Sequence, residues 1–419
     1  MRGLYQLYKF FFLQVSTLGC ILNLPILSAF SIIFSLSKLK FIKLNNSNKN
    51  NSKIIIFYRS GGFQDLKEAY KNQSSNHSFY ILDRTHLKNI YKYFFLKKYN
   101  NNLKLYLKNK SILILDKNYF EYTYKVVSWL KFFLKKISFL SFSLFYWDDV
   151  VFRENAKKLG ISNYLLYKEC FRSPIEQNIY FENRFYKYLN SFKSIGVYNL
   201  DTKKYLLNNS KVKPSVIKNI GCSRSSPLYK KIAKGKVNKE KIKNILLFYI
   251  EDFKGVPKVA KNRDIKFRKK IQINKNTNWR KLSQKVSKII IRSAKKHPNV
   301  NFIVKCKIGQ KIPKSILNQF NIIQNIKVIK HGLGHKFIEV SQIILGLNSA
   351  ATIEALLAKK LLMVPFFINL KDRLKDYLYN YPVANIFFNE KKLEENLNNK
   401  ISKGYIIKYP YNQKQKMVI

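Results

Sequence analysis

The sequence predicts an α/β protein with two doubly wound, Rossmann-like domains behind an N-terminal hydrophobic helix. Its 419 residues exceed what one hydrophobic core usually organises. Short β-rich runs alternate with amphipathic stretches, which is the pattern of parallel sheets covered by helices. A polar, basic stretch at 223–243 interrupts this alternation, and the alternation then begins again. Two consecutive domains of this kind are expected to bind a ligand where the carboxyl ends of their strands meet.

The N-terminal segment is hydrophobic. Residues 10–36 contain no charged side chain, and 27 apolar-rich residues are long enough to span a bilayer. Lysines are more frequent after this stretch than before it, which places the main body in the cytoplasm. We therefore predict that residues 1–45 associate with an anionic membrane surface, spanning it or lying in its interface, at the cytoplasmic face of the inner membrane. The alternative is a hydrophobic helix buried in the fold.

The first domain is predicted at 46–225, and its first residues belong to a polar linker at 45–53. Its strands are expected at 53–58, 78–83, 111–116, 139–145, 163–168, 194–199 and 216–221.

The second domain is predicted at 240–400 and is followed by a basic tail at 401–419. Its strands are expected at 244–250, 301–307, 326–330, 342–347 and 361–366, and helices at 279–296 and 350–359.

The net charge of +56, from 79 basic and 23 acidic residues, has two explanations. A polyanionic partner is one. The other is compositional bias, because Lys, Asn, Ile, Phe and Tyr are all frequent and the lysines are spread along the chain. Four distant cysteines indicate neither a disulfide framework nor a zinc site. Walker A, HExxH, GxSxG and EF-hand patterns are absent, which excludes the NTPase, zinc-protease, esterase and calcium-binding classes that they mark. We also predict no metal and no cofactor.

The stretch "GLNSAATIEALL" predicts a strand that ends just before a helix. The first N–H groups of a helix lack partners and carry the positive end of its dipole, which favours a phosphate there. We assign Asn348, Ser349, Ala350 and Thr352 to that phosphate, and Glu354 to neighbouring sugar hydroxyls. The alternative is that Ser349 caps the helix and Glu354 lies on its solvated face.

The segment "SAATIEALLAKKLLMVPF" resembles the nucleotide-sugar-binding segment of glycosyltransferases with the two-domain GT-B fold, notably lipid-A-disaccharide synthase and the peptidoglycan N-acetylglucosaminyltransferase. This resemblance implies that the helix faces a donor diphosphate and that Glu354 holds the ribose. Further stretches resemble bacterial surface-carbohydrate-biosynthesis glycosyltransferases: "YWDDVVFRENAKKLGISNYLLYKECFRSP", "SIGVYNLDTKKYLLNN" followed by "VIKNIGCSRSS", and "NVNFIVKCK".

The remaining candidate residues follow predicted strands, where loops carry function disproportionately. Lys168 is assigned to phosphate charge and Glu169 to the catalytic base, or the two form a strand-end ion pair. Lys305 and Lys307 share one face of a strand, so they are assigned to the donor or else lie in solvent. His331, in "HGLGH", is placed near the donor base. The acceptor side is assigned to Ser60, Gly61, Gly62 and Asp148, although a tight structural turn explains the two glycines equally well.

Together these observations and resemblances predict a metal-independent glycosyltransferase, with the acceptor bound by the domain at 46–225 and the nucleotide-sugar donor by the domain at 240–400. It would move a sugar from a nucleotide-sugar donor to a lipid-linked or polysaccharide acceptor in surface polysaccharide or lipopolysaccharide biosynthesis. No specific nucleic acid partner is expected. The alternatives are a nucleotide-sugar epimerase or a polyol-phosphate transferase on the same fold, and a non-catalytic protein that binds nucleic acid or an anionic membrane. An inactive scaffold of the same fold is a further alternative, because the chain ends at "QKQKMVI", where proteins of the GT-B fold that it resembles often send a last helix back to the first domain.

Overall fold

The structure is a computed structural model, and it divides the chain into two compact units. It describes residues 2–40, 43–44, 52–58, 60–70, 74–98, 100, 116–144, 147–167, 185–198, 200–221, 242–249, 279–306, 312–332, 334–346, 350–358, 360–365, 367 and 385–404. Described residues up to 221 belong to the first unit, and those from 242 onward belong to the second. Residues 111–115 of the strand predicted at 111–116 lie outside the described residues, as do most of the predicted polar linker and interdomain stretch. Asp116 caps helix Lys117–Leu134 instead of ending a described strand.

The first unit contains seven helices and nine strands among its described residues. The helices are α1 (Arg2–Ile21), α2 (Pro25–Ser35), α3 (Ser60–Ala69), α4 (Thr85–Lys98), α5 (Lys117–Leu134), α6 (Trp147–Lys158) and α7 (Leu200–Asn208). The strands are β1 (Ser37–Lys38), β2 (Lys43–Leu44), β3 (Ser52–Phe57), β4 (Ser74–Ser75), β5 (His77–Leu82), β6 (Ile137–Ser141), β7 (Ser162–Tyr167), β8 (Ser194–Val197) and β9 (Ile217–Asn219).

Seven of these strands form one sheet in the order β1-β5-β3-β6-β7-β8-β9. Every pair is parallel except β1 with β5, and β2 pairs separately with β4. From β3 the chain goes to β5 on one side and then returns to β6 on the other. The order of the described strands therefore reverses between β3 and β6, and in open α/β sheets ligands bind at such a point.

The second unit contains five helices and six strands among its described residues. The helices are α8 (Trp279–Lys296), α9 (Lys314–Asn321), α10 (Gly334–Val340), α11 (Ala350–Leu357) and α12 (Glu390–Lys403). The strands are β10 (Asn244–Phe248), β11 (Asn301–Lys305), β12 (Ile326–Ile329), β13 (Ile343–Leu345), β14 (Leu361–Pro365) and β15 (Asn385–Phe387). Helix α12 occupies the first three residues of the predicted basic tail.

The six strands of the second unit form one parallel sheet in the order β12-β11-β10-β13-β14-β15. Side chains alternate across it, because successive residues of a strand point to opposite faces. Ile245 and Leu247 join the core beneath α8, α9 and α12, whereas Leu246 joins the core beneath α10 and α11. Helices thus cover both faces, as the prediction of a doubly wound domain requires.

The hydrophobic N-terminal segment forms two helices rather than one. Asn23 has a φ of 55°, and Pro25 is the first residue of α2, where a missing N–H costs nothing. Both helices pack on the first unit, and Cys20, Ala29 and Ile32 belong to its core. Two α2 serines anchor the pair. Ser28 shares a hydrogen bond of 2.7 Å with Tyr122 on α5, and Ser31 lies 3.2 Å from Nδ1 of His86 on α4.

The alternative prediction, a hydrophobic helix buried in the fold, therefore holds for the face of this helix pair that packs on the first unit. Within the part of the chain that the structure describes, no helix is both long enough and apolar enough to cross a bilayer.

Candidate functional site

The reversal of strand order in the second unit defines a candidate site. Numbered from one in chain order, its strands lie in the order 3-2-1-4-5-6, which is that of dinucleotide-binding Rossmann sheets. The reversal falls between β10 and β13, which pair in parallel. Ligands of such sheets bind outside the carboxyl ends of the strands at this point. Helix α11 begins there, because it follows β13 after a short connection.

Small residues let the backbone pack closely at this point. An ideal Cβ on Gly346, directly after β13, would lie 2.8 Å from Cγ2 of Thr352 and 3.5 Å from Cβ of Phe248. An ideal Cβ on Gly334 would lie 3.4 Å from the Phe248 ring. The end of β10, the end of β13 and the first turn of α11 therefore meet with little spare room.

Phe248, Gly334 and Gly346 were not predicted as site residues. Gly346 carried a usable signal, since a glycine between a buried strand and a helix often marks a close approach of backbone. The contact of Phe248 with two glycines is a tertiary contact, which no local pattern of the sequence reveals.

Lys305 ends β11, beside Phe248 in the strand register, and lies on the same edge of the sheet. Its side chain is buried, and its ammonium group donates a hydrogen bond to the carbonyl oxygen of Cys306. Burial lowers the pKa of Lys305 because a desolvated ammonium group is harder to keep charged. Lys305 is thus buried at the carboxyl-terminal edge of the sheet, and its ammonium group already donates to a backbone carbonyl.

Three other predicted donor residues lie on α11. Ala350 is its first residue, Thr352 is fully buried, and the side chain of Glu354 is half-buried one turn further. His331 is exposed after β12, which lies two strands away from β10, on the side opposite to β13. Lys305 and the start of α11 both lie at the carboxyl-terminal edge of the sheet, near the reversal point. His331 follows β12, the outermost strand on one side of the same sheet.

The remaining predicted donor and catalytic residues lie outside the described residues. These are Lys168, Glu169, Lys307, Asn348 and Ser349.

In the first unit, the predicted acceptor glycines belong to a helix. Helix α3 begins at Ser60, so Gly61 and Gly62 form its first turn and not a turn that precedes it. An ideal Cβ on Gly62 would lie 2.1 Å from Cδ1 of Phe142, which directly follows β6. Gly62 therefore lets α3 approach β6 at the reversal point of this sheet. A role in acceptor binding stays a prediction.

Asp148, also predicted on the acceptor side, belongs to a buried ion-pair cluster. Nη2 of Arg84 donates to Asp148 at 2.7 Å, and Nε of Arg84 donates to Asp149 at 2.8 Å. Burial raises the pKa of Asp149, and the Arg84 guanidinium counteracts this rise. Because its carboxylate already accepts from Arg84, Asp148 has a structural role, and its part in acceptor binding stays a prediction.

A second guanidinium lies near this cluster. Arg153 is fully buried on α6, and its carbon Cζ lies 4.8 Å from the centre of the Phe192 ring. None of its side-chain nitrogens has a hydrogen-bond partner among the residues that the structure describes. Burial lowers the pKa of Arg153 to about 10, while the Asp149 carboxylate favours its charge. Electrostatic attraction to the two aspartates therefore helps to hold Arg153 charged.

The described ranges contain no cluster of three or more His, Cys, Asp or Glu side chains arranged to hold a metal ion.

No protein-family model matches the chain, and no curated protein matches it. Solved structures do resemble it. A UDP-GlcNAc 2-epimerase from Neisseria meningitidis, solved with UDP-GlcNAc bound, is 12% identical and has a TM-score of 0.50, with 84% of this chain and 92% of that chain covered. At this identity the likeness shows the fold alone, and the predicted fold class of two Rossmann-like, parallel-sheet domains is confirmed.

Two further solved structures have lower TM-scores. A UDP-GlcNAc 2-epimerase from Methanocaldococcus jannaschii is 12% identical with a TM-score of 0.47, and the alignment covers 84% of this chain and 93% of that chain. A UDP-forming α,α-trehalose-phosphate synthase from Burkholderia vietnamiensis is 11% identical with a TM-score of 0.41, and the coverages are 84% and 91%.

Proposed function

We propose that the protein is an enzyme that acts on a nucleotide sugar, and that its second unit holds the donor diphosphate at the start of α11. One observation carries this proposal. The strand order reverses between β10 and β13, and α11 begins at that point, where open α/β sheets bind ligands. The unpaired N–H groups and the dipole of a helix start favour a phosphate anion.

The proposed reaction is glycosyl transfer to a lipid-linked or polysaccharide acceptor, at the cytoplasmic face of the inner membrane, for surface polysaccharide or lipopolysaccharide. An acceptor hydroxyl oxygen bonds to the anomeric carbon while the bond from that carbon to the diphosphate oxygen breaks. The hydroxyl proton passes to a base, which we assign to Glu169, and the nucleoside diphosphate leaves with the bonding electron pair. The helix start stabilises the negative charge of this leaving group.

Lysine residues complete this proposal. Lys305 contributes positive charge once its ammonium group exchanges the Cys306 carbonyl for a phosphate oxygen, and Lys168 and Lys307 add to it. Glu354 accepts hydrogen bonds from the ribose. The protein needs no metal in this scheme, because helix and lysines supply the positive charge.

A second candidate is epimerisation of a nucleotide sugar. Its support is the Neisseria meningitidis epimerase, whose fold the chain shares and which was solved with UDP-GlcNAc. The two reactions differ in their need for an acceptor. An epimerase converts the nucleotide sugar alone, whereas a transferase requires an acceptor and releases free nucleoside diphosphate.

Incubating the full chain with UDP-GlcNAc separates the candidates. A new epimer without an acceptor identifies an epimerase. Release of UDP that depends on an added lipid-linked acceptor identifies a transferase. If a panel of nucleotide sugars neither binds nor reacts, the proposed function is wrong.

We expect Glu354→Ala to weaken nucleotide binding about ten-fold, or about 1.4 kcal/mol, because the ribose loses its hydrogen-bond acceptor. Isothermal titration calorimetry with UDP measures this change. Glu395→Ala is the matched control, since Glu395 is exposed on α12 and forms only a 4.0 Å pair with Lys391 among described residues. Equal affinities of the Glu354 variant and the parent chain would remove the assigned ribose contact.

A pH dependence is expected from Lys305. The lowered pKa means that this lysine loses its proton at a lower pH than an exposed lysine does. Since an anionic diphosphate binds the protonated form, affinity should decline as the pH rises through that lowered pKa. Titrations between about pH 7 and about pH 10 test this expectation. Lys305→Met should bind more weakly and lose this part of the decline; an unchanged pH profile in the variant would contradict the phosphate contact.

A further inference from the structure

A continuous row of aromatic rings crosses α1, α2 and α5. Phe12 on α1 stacks on Phe34 of α2 with ring centres 5.6 Å apart, and Phe34 contacts Phe30 at 6.3 Å. Phe30 contacts Phe133 of α5 at 4.8 Å, and Phe133 stacks on Trp129 at 5.6 Å. Tyr8 and Phe11 join Phe12, and Phe132 joins Phe133. We call these eight residues the aromatic row.

Much of the aromatic row is open to solvent. Phe132 is 68% exposed, Phe11 60% and Phe34 57%. Other large apolar side chains are exposed on the same helix pair and its connection: Phe10, Leu18, Ile21, Leu22 and Leu24. Single exposed apolar residues are ordinary, but a contiguous group of this kind marks an interaction surface. Contact with a partner would remove this apolar surface from water, which lowers the free energy.

Charge identifies the partner. The first 64 residues contain no Asp or Glu, and α5 has only Glu121. Exposed lysines Lys125, Lys131 and Lys135 lie on α5 or at its end, within one or two turns of Trp129 and Phe132. Aromatic rings that are flanked by lysines suit the interface of an anionic bilayer. A second copy of the same surface would bring lysines against lysines, which is unfavourable.

We propose that the aromatic row inserts into the headgroup layer of an anionic bilayer, with the protein lying on one leaflet. This proposal rests on the membrane location given in the proposed function, and it adds which residues contact the lipid. The buried face of the helix pair anchors it to the first unit through Ser28 and Ser31, and the exposed aromatic residues meet the lipid. Penetration of about 5–10 Å is typical of such interfacial helices.

Vesicle sedimentation of the full chain tests this proposal. We compare vesicles of phosphatidylcholine with vesicles of phosphatidylcholine and phosphatidylglycerol, for the parent chain and for Trp129→Ser with Phe132→Ser. The parent should bind the anionic vesicles better, and added salt should weaken that binding. The double variant should bind at least about ten-fold more weakly, because the transfer free energy of two exposed rings into the bilayer is lost. Ile322→Ser is the matched control, since Ile322 is 80% exposed in the second unit.

A second pair, Phe11→Ser with Phe34→Ser, should weaken binding similarly and guards against misfolding of the first variant. Equal binding of both pairs and the parent would overturn the proposal, as would no binding by the parent. A parent dimer that dissociates in the variants and does not bind vesicles would assign the surface to a second copy instead. UDP affinity, measured on the same samples, tests the enzyme proposal separately. A protein that binds anionic vesicles but not UDP would contradict the enzyme proposal only, and one that binds UDP but not vesicles would contradict the membrane proposal only.

Discussion

Replacing Arg84 with methionine is expected to lower the free energy of unfolding of the first unit by about 3–5 kcal/mol. Asp148 and Asp149 are nearly inaccessible to solvent, and Arg84 donates to both carboxylates. Methionine keeps much of the side-chain volume and removes the charge. The variant is then left with buried carboxylates whose remaining nearby guanidinium is Arg153. Leaving a buried charge without its partner costs far more than losing an exposed ion pair.

The loss should depend on pH in a defined direction. Burial raises the pKa of Asp149 in the folded state, and removing the Arg84 guanidinium raises that pKa further. A group with a raised folded-state pKa binds protons more tightly when folded, so its contribution to stability falls as the pH rises through that pKa. The difference between variant and parent should therefore be larger at about pH 8 than at about pH 5. Urea unfolding at both pH values, followed by circular dichroism, measures it.

Arg292→Met is the matched control for this prediction. Arg292 also forms a two-point ion pair, with Glu394 at 2.6 and 2.8 Å, but its side chain is half exposed. Its loss should cost less than about 1 kcal/mol because solvent screens the pair. Similar costs for the two variants, or a cost at Arg84 that does not change with pH, would contradict the buried-charge argument.

The strands of both units follow closely from the sequence because they are short apolar runs between polar turns. Strand β11 ends two residues before the predicted limit and β3 begins one residue before it. The helix predicted at 279–296 is found with the same limits. Four strands were missed because each offers only two or three residues of pattern, namely β1, β2, β4 and β15. The N-terminal pair was predicted as one helix because hydropathy registers Asn23 and Pro25 only weakly, although they break the helix.

The site was predictable only where one local stretch contains it. Helix α11 follows from the change from apolar strand to small-residue helix within residues 342–357. By contrast, Arg84 meets Asp148 and Asp149 across 64 and 65 residues of sequence, and nothing local to either partner indicates the contact. Phe248 and Gly346 are brought together by the pairing of β10 with β13 in the same way. Contacts of this kind depend on strand order, which a single sequence does not reveal.

Gly62→Ala is expected to destabilise the first unit, although alanine is the better helix former. Relative to glycine, alanine stabilises a helix interior by up to about 1 kcal/mol. Its Cβ, however, would lie 2.1 Å from Cδ1 of Phe142, a ring that is almost fully buried and has little room to move. Overpacking of this kind typically costs about 1–3 kcal/mol, so the net effect should be a loss. Urea unfolding of the variant, followed by circular dichroism, measures that loss.

The sign of the effect should reverse when the ring is removed. Phe142→Ala alone should cost about 3–5 kcal/mol, because it leaves a cavity. In that background Gly62→Ala has no ring to meet, so it should be neutral or stabilise by up to about 1 kcal/mol. This cycle separates the two explanations of the glycine. If Gly62 instead serves the approach of an acceptor to the backbone, Gly62→Ala should leave unfolding unchanged in both backgrounds and lower only the acceptor-dependent reaction.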